Sequence, residues 1–213
     1  MTTPSSTIDA LDFPTPPYAI ADEVADLLFR GARSVGAFTD EPVHDHELAA
    51  AYDLLKWGPT AMNTTPLRLL VVRSAPARAR LAAHAAEANR ERILAAPVAL
   101  VVAADPHFHR HLPVLAPHRA ALVDALEGQP EQRAAMARTN TLIQTGYLIT
   151  ALRATGLDVG PIGGVDTTGI DAELLADSGW QSQLVVLVGH RDGVGTPHPR
   201  AARLGWTDVA ATA

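Results

Sequence analysis

Three short apolar runs, Leu67–Arg73, Pro97–Ala104 and Leu184–Val188, constrain what this chain can fold into more than any other feature. Each is rich in leucine or valine and lacks the strict alternation of a half-exposed strand, so each reads as a largely buried strand. They lie far apart in sequence, and the stretches between them carry helical spacing. Distant buried strands separated by helices predict an α/β or α+β domain with one central sheet flanked by helices.

The helical expectations follow from periodicity and punctuation. Val24, Leu27 and Leu28 predict a first helix over 22–33, ending near Gly31–Gly36. Asp45 is a plausible N-cap for a second helix through Leu48, Tyr52, Leu55 and Lys56, which Gly58-Pro59 stops. Ser74 caps a helix over 76–89. Prolines 106, 113, 117 and 130 break the 106–133 stretch into an irregular, partly helical excursion. From Ala134 to Thr155 the pattern Met136, Leu142, Ile143, Tyr147, Leu148, Ala151, Leu152 fits one long helix with apolar residues on more than one face. Gly156 ends it. Gly160-Pro161-Ile162-Gly163-Gly164 reads as a tight loop, and 166–177 offers a short helix.

At 213 residues the chain suits one domain. The expected division is an extended arm over 1–20, the domain over 21–195, and a C-terminal arm over 196–213. Arms that cannot form cores of their own suggest an intertwined dimer. A net charge of −6 and a single lysine, Lys56, exclude the basic surface that non-specific nucleic-acid binding requires. The absence of cysteine excludes disulfides, thiolate metal sites and cysteine nucleophiles. The first residues lack a signal-peptide pattern, and no apolar run approaches the roughly 20 residues of a membrane span. A cytoplasmic, soluble protein is the expectation.

Several familiar chemistries are not signalled. There is no G-x-G-x-x-G, no Walker A lysine and no G-x-S-x-G elbow. His107, His109, His111 and His118 cluster, and His107 and His111 stand four apart, a spacing that metal ligands use. The segment is broken by prolines and has no H-E-x-x-H, so it reads instead as a partly exposed loop near a pocket mouth.

Four further stretches are individually ordinary. They are Gly31-Ala32-Arg33-Ser34-Val35-Gly36-Ala37-Phe38, the segment from Lys56-Trp57-Gly58-Pro59-Thr60-Ala61-Met62-Asn63 to Arg68, the run Gly156 to Asp166, and Pro199-Arg200-Ala201-Ala202-Arg203-Leu204. In this order they resemble the nitroreductase family, most closely its malonic semialdehyde reductase branch. Asn140, Gln144 and Tyr147 match that branch as well. The resemblance runs from about residue 25 to 209.

It implies an α+β fold with a mixed sheet, an intertwined homodimer, and FMN at each subunit interface with NAD(P)H as co-substrate. Carried over, Arg33 and Ser34 meet the FMN phosphate and ribityl chain, and Arg203 with Arg200 adds positive charge there. Asn63 of the other subunit hydrogen-bonds the flavin edge, with Pro59, Thr60 and Ala61 along its plane. Pro161 and Ile162 lead to Gly163 and Gly164, whose N–H groups face flavin N5. Departures stand at Gly36, which removes a polar contact, at Thr64-Thr65, and at Gly163.

The implied activity is ping-pong hydride transfer without a catalytic triad. A small aldehyde such as 3-oxopropanoate is the implied substrate, its carboxylate met by Arg68 or the His107–His118 region. The alternatives are a tailoring flavoprotein acting on a larger metabolite or a nitro or enone compound, and a non-catalytic dimer of the same fold.

Overall fold

A computed structural model describes residues 19–193 and 198–213. The N-terminal arm thus lies almost wholly outside the described residues, as does the expected boundary at 195. Among them, β1 (Leu67–Val72), β2 (Val98–Ala104), β3 (Asp158–Ile162) and β4 (Gln181–Gly189) form one sheet in the order β1-β2-β4-β3. Every strand pair is antiparallel, with Leu70 opposite Val101, Leu100 opposite Val186, and Gly160 opposite Leu187. The mixed sheet expected from the resemblance reduces to this pattern, its parallel component being an isolated bridge between Ser34 and Val159.

The helices in chain order are α1 (Asp22–Ala25), α2 (Asp45–Leu55), α3 (Ala75–Ala83), α4 (Glu87–Ala95), α5 (Leu112–Leu115), α6 (Leu122–Glu127), α7 (Pro130–Ala154), α8 (Thr167–Leu174) and α9 (Trp206–Val209). Burial of β2 on both faces explains its unbroken apolar run. Val98, Leu100 and Val102 face one core with Ala51 and Leu55 of α2 and Leu148 and Leu152 of α7. Ala99, Val101 and Ala103 face a second core with Leu81 of α3, Ile93 of α4 and Ile170 of α8. The result is a helix–sheet–helix sandwich.

Four local expectations are corrected. The helix over 22–33 is α1 followed by a π-helical turn over Asp26–Arg30. The N-cap of α2 is His44, whose N–H donates to Glu47 Oε2 at 2.7 Å, so Asp45 is the first helical residue. The helix over 76–89 is two helices, because His84–Ala86 turns away to bond the segment around Gly164. The tight loop at Gly160–Ile162 is strand β3. Pro161 is tolerated there because β3 is an edge strand, where a missing donor breaks no central ladder.

The 106–129 excursion is a packed satellite of short helices. Phe108, Leu112, Ala116 and Leu126 close over Ala104 and Ala137. The long helix α7 starts four residues before its expected start, with Pro130 in its first turn. Its buried residues include polar Asn140, Thr141, Gln144 and Thr145, while Leu142, Ile143 and Tyr147 are each 44% exposed.

Candidate active site

Residues following the π turn run beside the free edge of β3. Val35 N–H donates to Val159 O at 2.8 Å. This approach is possible because position 160 is glycine: a Cβ there would lie 2.1 Å from Val35 O. The backbone contact sets Arg33 and Ser34 in place, and the C-terminal segment closes over them. Arg33 Nη2 donates to His198 O at 2.7 Å, and Arg200 Nη2 donates to Ala32 O at 2.8 Å. Arg203 turns back on its own backbone, to Ala201 O and Ala202 O.

Arg33, Ser34, Arg153, Arg200 and Arg203 line one cavity of about 550 Å³. The first, second, fourth and fifth are residues the resemblance singled out. Arg153 is an addition from the end of α7, and its Nη1 donates to Leu28 O at 3.0 Å. Burial pulls its guanidinium below the ordinary arginine range, against the pull of nearby Asp158. Arg30 also lines this cavity but is paired with Asp22 and Asp26; the other four guanidinium groups make a corner that attracts a dianion.

At the other end of β3, Gly163 and Gly164 are exposed. Gly164 O accepts from Ala86 N–H at 3.0 Å and Asn89 Nδ2 at 3.3 Å, and Asp166 N–H donates to His84 O at 2.7 Å. The N–H groups of Gly163 and Gly164 have no protein acceptor among the described residues. A Cβ on Gly163 would meet nothing within 4 Å. Both glycines line a cavity of about 540 Å³.

Arg92 of α4 ties the two corners together, and sequence reasoning missed it. Its Nη2 donates to Val35 O at 3.3 Å and its Nη1 to Asn89 Oδ1 at 3.3 Å, while Asn89 reaches Gly164. A Cβ on Gly36 would stand 3.1 Å from Arg92 Nε. A guanidinium from another element thus stands beside Gly36. No local pattern in Asn89-Arg90-Glu91-Arg92 signals this, because Val35 and Gly164, which Arg92 and Asn89 reach, are more than fifty positions away.

The third group of expected residues, Pro59, Thr60, Ala61 and Asn63, forms a separate turn. Met62, Asn63 and Thr65 have φ of 56°, 54° and 38°, a left-handed run without glycine that stores strain. Asn140 Oδ1 accepts from Ala61 N–H at 2.7 Å, and Gln144 Oε1 accepts from Leu67 N–H at 3.0 Å. Asn63 Nδ2 donates to Leu115 O at 2.8 Å. No described hydrogen bond joins this turn to Arg33–Ser34 or Gly163–Gly164.

Two expectations around this turn are corrected. Arg68 is not available to a substrate carboxylate: its Nη2 pairs with buried Asp105 at 2.7 Å and its Nη1 donates to Thr65 O and Leu67 O. His109 is not at a pocket mouth but fully buried. Its Nε2 hydrogen-bonds Glu127 Oε2, and Arg133 Nη1 lies 3.2 Å from the same oxygen. The His109 contact holds the Glu127 carboxyl below its ordinary range. His111 and His118 are exposed. Among the described residues no three His, Asp or Glu side chains come together as a metal site.

The comparisons agree with this architecture. The nitroreductase family model matches residues 29–190. A Leptothrix cholodnii protein provisionally named NADH dehydrogenase/NAD(P)H nitroreductase is 45% identical over 91% of this chain and 98% of its own. A Streptomyces coelicolor protein of the same name is 45% identical over 82% of this chain and 86% of its own. Among solved structures, a Bacillus subtilis protein provisionally named a nitroreductase superposes with TM-score 0.78 at 17% identity, covering 90% of this chain and 99% of its own. An Exiguobacterium sibiricum protein, provisionally named a nitroreductase and solved in complex with FMN, gives 0.76 at 21%, covering 91% and 98%. The chain belongs to the nitroreductase family.

Proposed function

We propose that the chain is an FMN-dependent NAD(P)H oxidoreductase that works as a homodimer. The observation that carries this reading is the alignment along β3 of an anion-binding corner at one end and two unpaired backbone N–H donors at the other. The residues fit the cofactor. Arg33, Arg153, Arg200, Arg203 and the Ser34 hydroxyl match a phosphate dianion, which takes charge-assisted donors. Gly163 and Gly164 would donate to flavin N5, and Arg92 would place positive charge near the ring edge.

When bound, FMN supplies the hydride carrier, taking hydride from NAD(P)H and passing it to an oxidised substrate in a ping-pong cycle. The protein's part is to bind, orient and stabilise charge. No Ser–His–Asp or comparable relay is needed, and the carboxylates near the site serve structure: Asp105 pairs Arg68, and Asp166 caps α8 by accepting from Gly169 N–H at 3.1 Å.

The dimer is supported by apolar surface that one protomer leaves uncovered. Trp57 is 78% exposed, Trp206 80% and Leu204 74%, in addition to Leu142, Ile143 and Tyr147 on α7. Asn63 and Pro59 to Ala61 would then reach the flavin site of the second copy. The names carried by the relatives support the nicotinamide and the reductase chemistry.

A small aldehyde such as 3-oxopropanoate is the substrate the sequence resemblance favours. Its carboxylate must meet a group other than Arg68. A larger metabolite, the second reading, is favoured by Val114, which is 82% exposed on the packed excursion next to Leu115, the residue that Asn63 contacts. No described helix is long and apolar enough to cross a membrane. Purified protein that is yellow, releases FMN on denaturation and oxidises NAD(P)H with an aldehyde, quinone or nitroarene confirms the activity. Colourless protein that takes up no FMN overturns it.

A further inference from the structure

We infer that Asn140 of α7 is a positioning residue for the flavin site: through the Ala61 N–H it holds the left-handed turn at Met62 and Asn63. The inference rests on the FMN reading above. Asn140 is 3% exposed, deep in a helix whose buried positions would ordinarily take apolar side chains. Its two amide atoms are both used. Nδ2 donates to Met136 O at 2.9 Å, and since that carbonyl can only accept, Oδ1 must be the atom that faces Ala61 N–H at 2.7 Å.

Consecutive left-handed residues without glycine persist only where their surroundings over-determine them. Here the surroundings do. Gln144, one turn along α7 and 2% exposed, accepts from Leu67 N–H at the far end of the same loop. Thr60 Oγ1 accepts from Thr65 N–H at 3.2 Å, and Arg68 Nη1 donates to Thr65 O at 3.0 Å. Asn140 and Gln144 thus stand four residues apart on one face of a rigid helix and hold both ends of the strained segment. What lies between them, Ala61 to Asn63, is the surface offered to the cofactor of the second protomer. Asn140 acts on that surface through the backbone.

The test compares Asn140→Leu with Asn140→Asp. A protonated aspartic acid reproduces both amide contacts, carbonyl to Ala61 N–H and hydroxyl to Met136 O, whereas leucine reproduces neither. The readouts are FMN affinity by flavin fluorescence and the visible circular dichroism of bound FMN, with the apoprotein melt as a control. Asn140→Leu is expected to weaken FMN binding at least tenfold and change the dichroic bands. Assayed at a pH at which the introduced carboxyl is protonated, Asn140→Asp is expected to keep wild-type bands and an affinity within threefold. Unchanged affinity and bands in Asn140→Leu overturn the inference, and so does an equal loss in both variants, which would mark a packing effect. If Asn140→Leu does not fold, Asn140→Ser, too short to reach Ala61, is read the same way. Wild-type protein that binds no FMN overturns the cofactor reading itself, a different outcome from any of these.

Discussion

The Arg92 guanidinium occupies the space that a side chain on Gly36 would fill, its Nε standing 3.1 Å from where that Cβ would be. Replacing Arg92 by alanine should raise the FMN dissociation constant about tenfold, equivalent to ~1.4 kcal/mol. Asparagine at position 36 in that background should recover part of the loss. Fluorescence titration of the two variants measures both, and an Arg92→Ala protein with wild-type affinity would remove Arg92 from the site.

Gly160 lets the backbone at Val35 approach β3 closely. Gly160→Ala forces a Cβ onto Val35 O, a backbone atom that cannot rotate away. Overpacking of this kind costs about 3 kcal/mol, a fall in Tm of roughly 6–12 °C for a chain this size. The same change should separate Arg33–Ser34 from β3 and weaken FMN. Thermal melts of apo and FMN-saturated protein should therefore both shift, the saturated sample more.

Arg33, Arg200 and Arg203 should discriminate FMN from riboflavin. A hydrogen bond to a charged group contributes about 1.5–3 kcal/mol, so Arg33→Ala should cost FMN binding about tenfold or more. Riboflavin, which lacks the phosphate, should bind the variant and the wild type alike. Equal losses for both ligands would mean that Arg33 serves the fold instead of the phosphate.

Arg68 and Asp105 should behave as a structural pair. Asp105→Asn leaves the guanidinium without its counter-charge and should cost about 2 kcal/mol, below the range for a fully buried pair because Arg68 keeps some exposure. In Arg68→Met the ratio of KM values for an aldehyde acid and a neutral aldehyde should stay at its wild-type value. A selective rise for the acid would place Arg68 in substrate recognition.

Acid stability should depend on Glu127 and Glu173. Hydrogen bonding to His109 holds Glu127 below its ordinary range, and Arg80, then His84, does the same for Glu173. A carboxylate with a depressed folded-state pKa stabilises the fold above its unfolded value, and that contribution disappears as pH falls through the folded value. Glu127→Gln should therefore lower Tm at neutral pH, and the gap from wild type should close below about pH 4.5, the ordinary glutamate value. Melts between pH 3 and 7 check the sign. Both side chains are exposed enough that the effect should be modest.

Local signals carried much of the fold. The unbroken apolar run of β2 follows from burial on two faces, which composition alone reports, and α7 is long enough for its period to be unmistakable. Ser74 and Asp166 cap α3 and α8 as short polar side chains do wherever they precede a helical stretch. Arg33, Ser34, Arg200 and Arg203 were legible through motif order, and the structure brings them to one cavity. Pro59 to Asn63, expected at the same site, stand apart from that cavity.

What stayed hidden is long-range. Gly160–Ile162 looks like a turn because glycine and proline favour turns, yet pairing with Val185–Leu187 makes it an edge strand. His109 looks like a loop histidine until Phe108 and Leu112 close over it and Glu127 meets its ring. Arg68 looks free until β1 sets it beside Asp105. Nothing around Gly36 in the sequence shows that α4 sets Arg92 beside it. The amino-acid sequence by itself determined three of the four sheet strands, the long helix and which residue types could meet a phosphate. Tertiary structure alone decided which charges are neutralised and which backbone donors stay free, because ion pairs and hydrogen bonds depend on distances that only the folded chain sets.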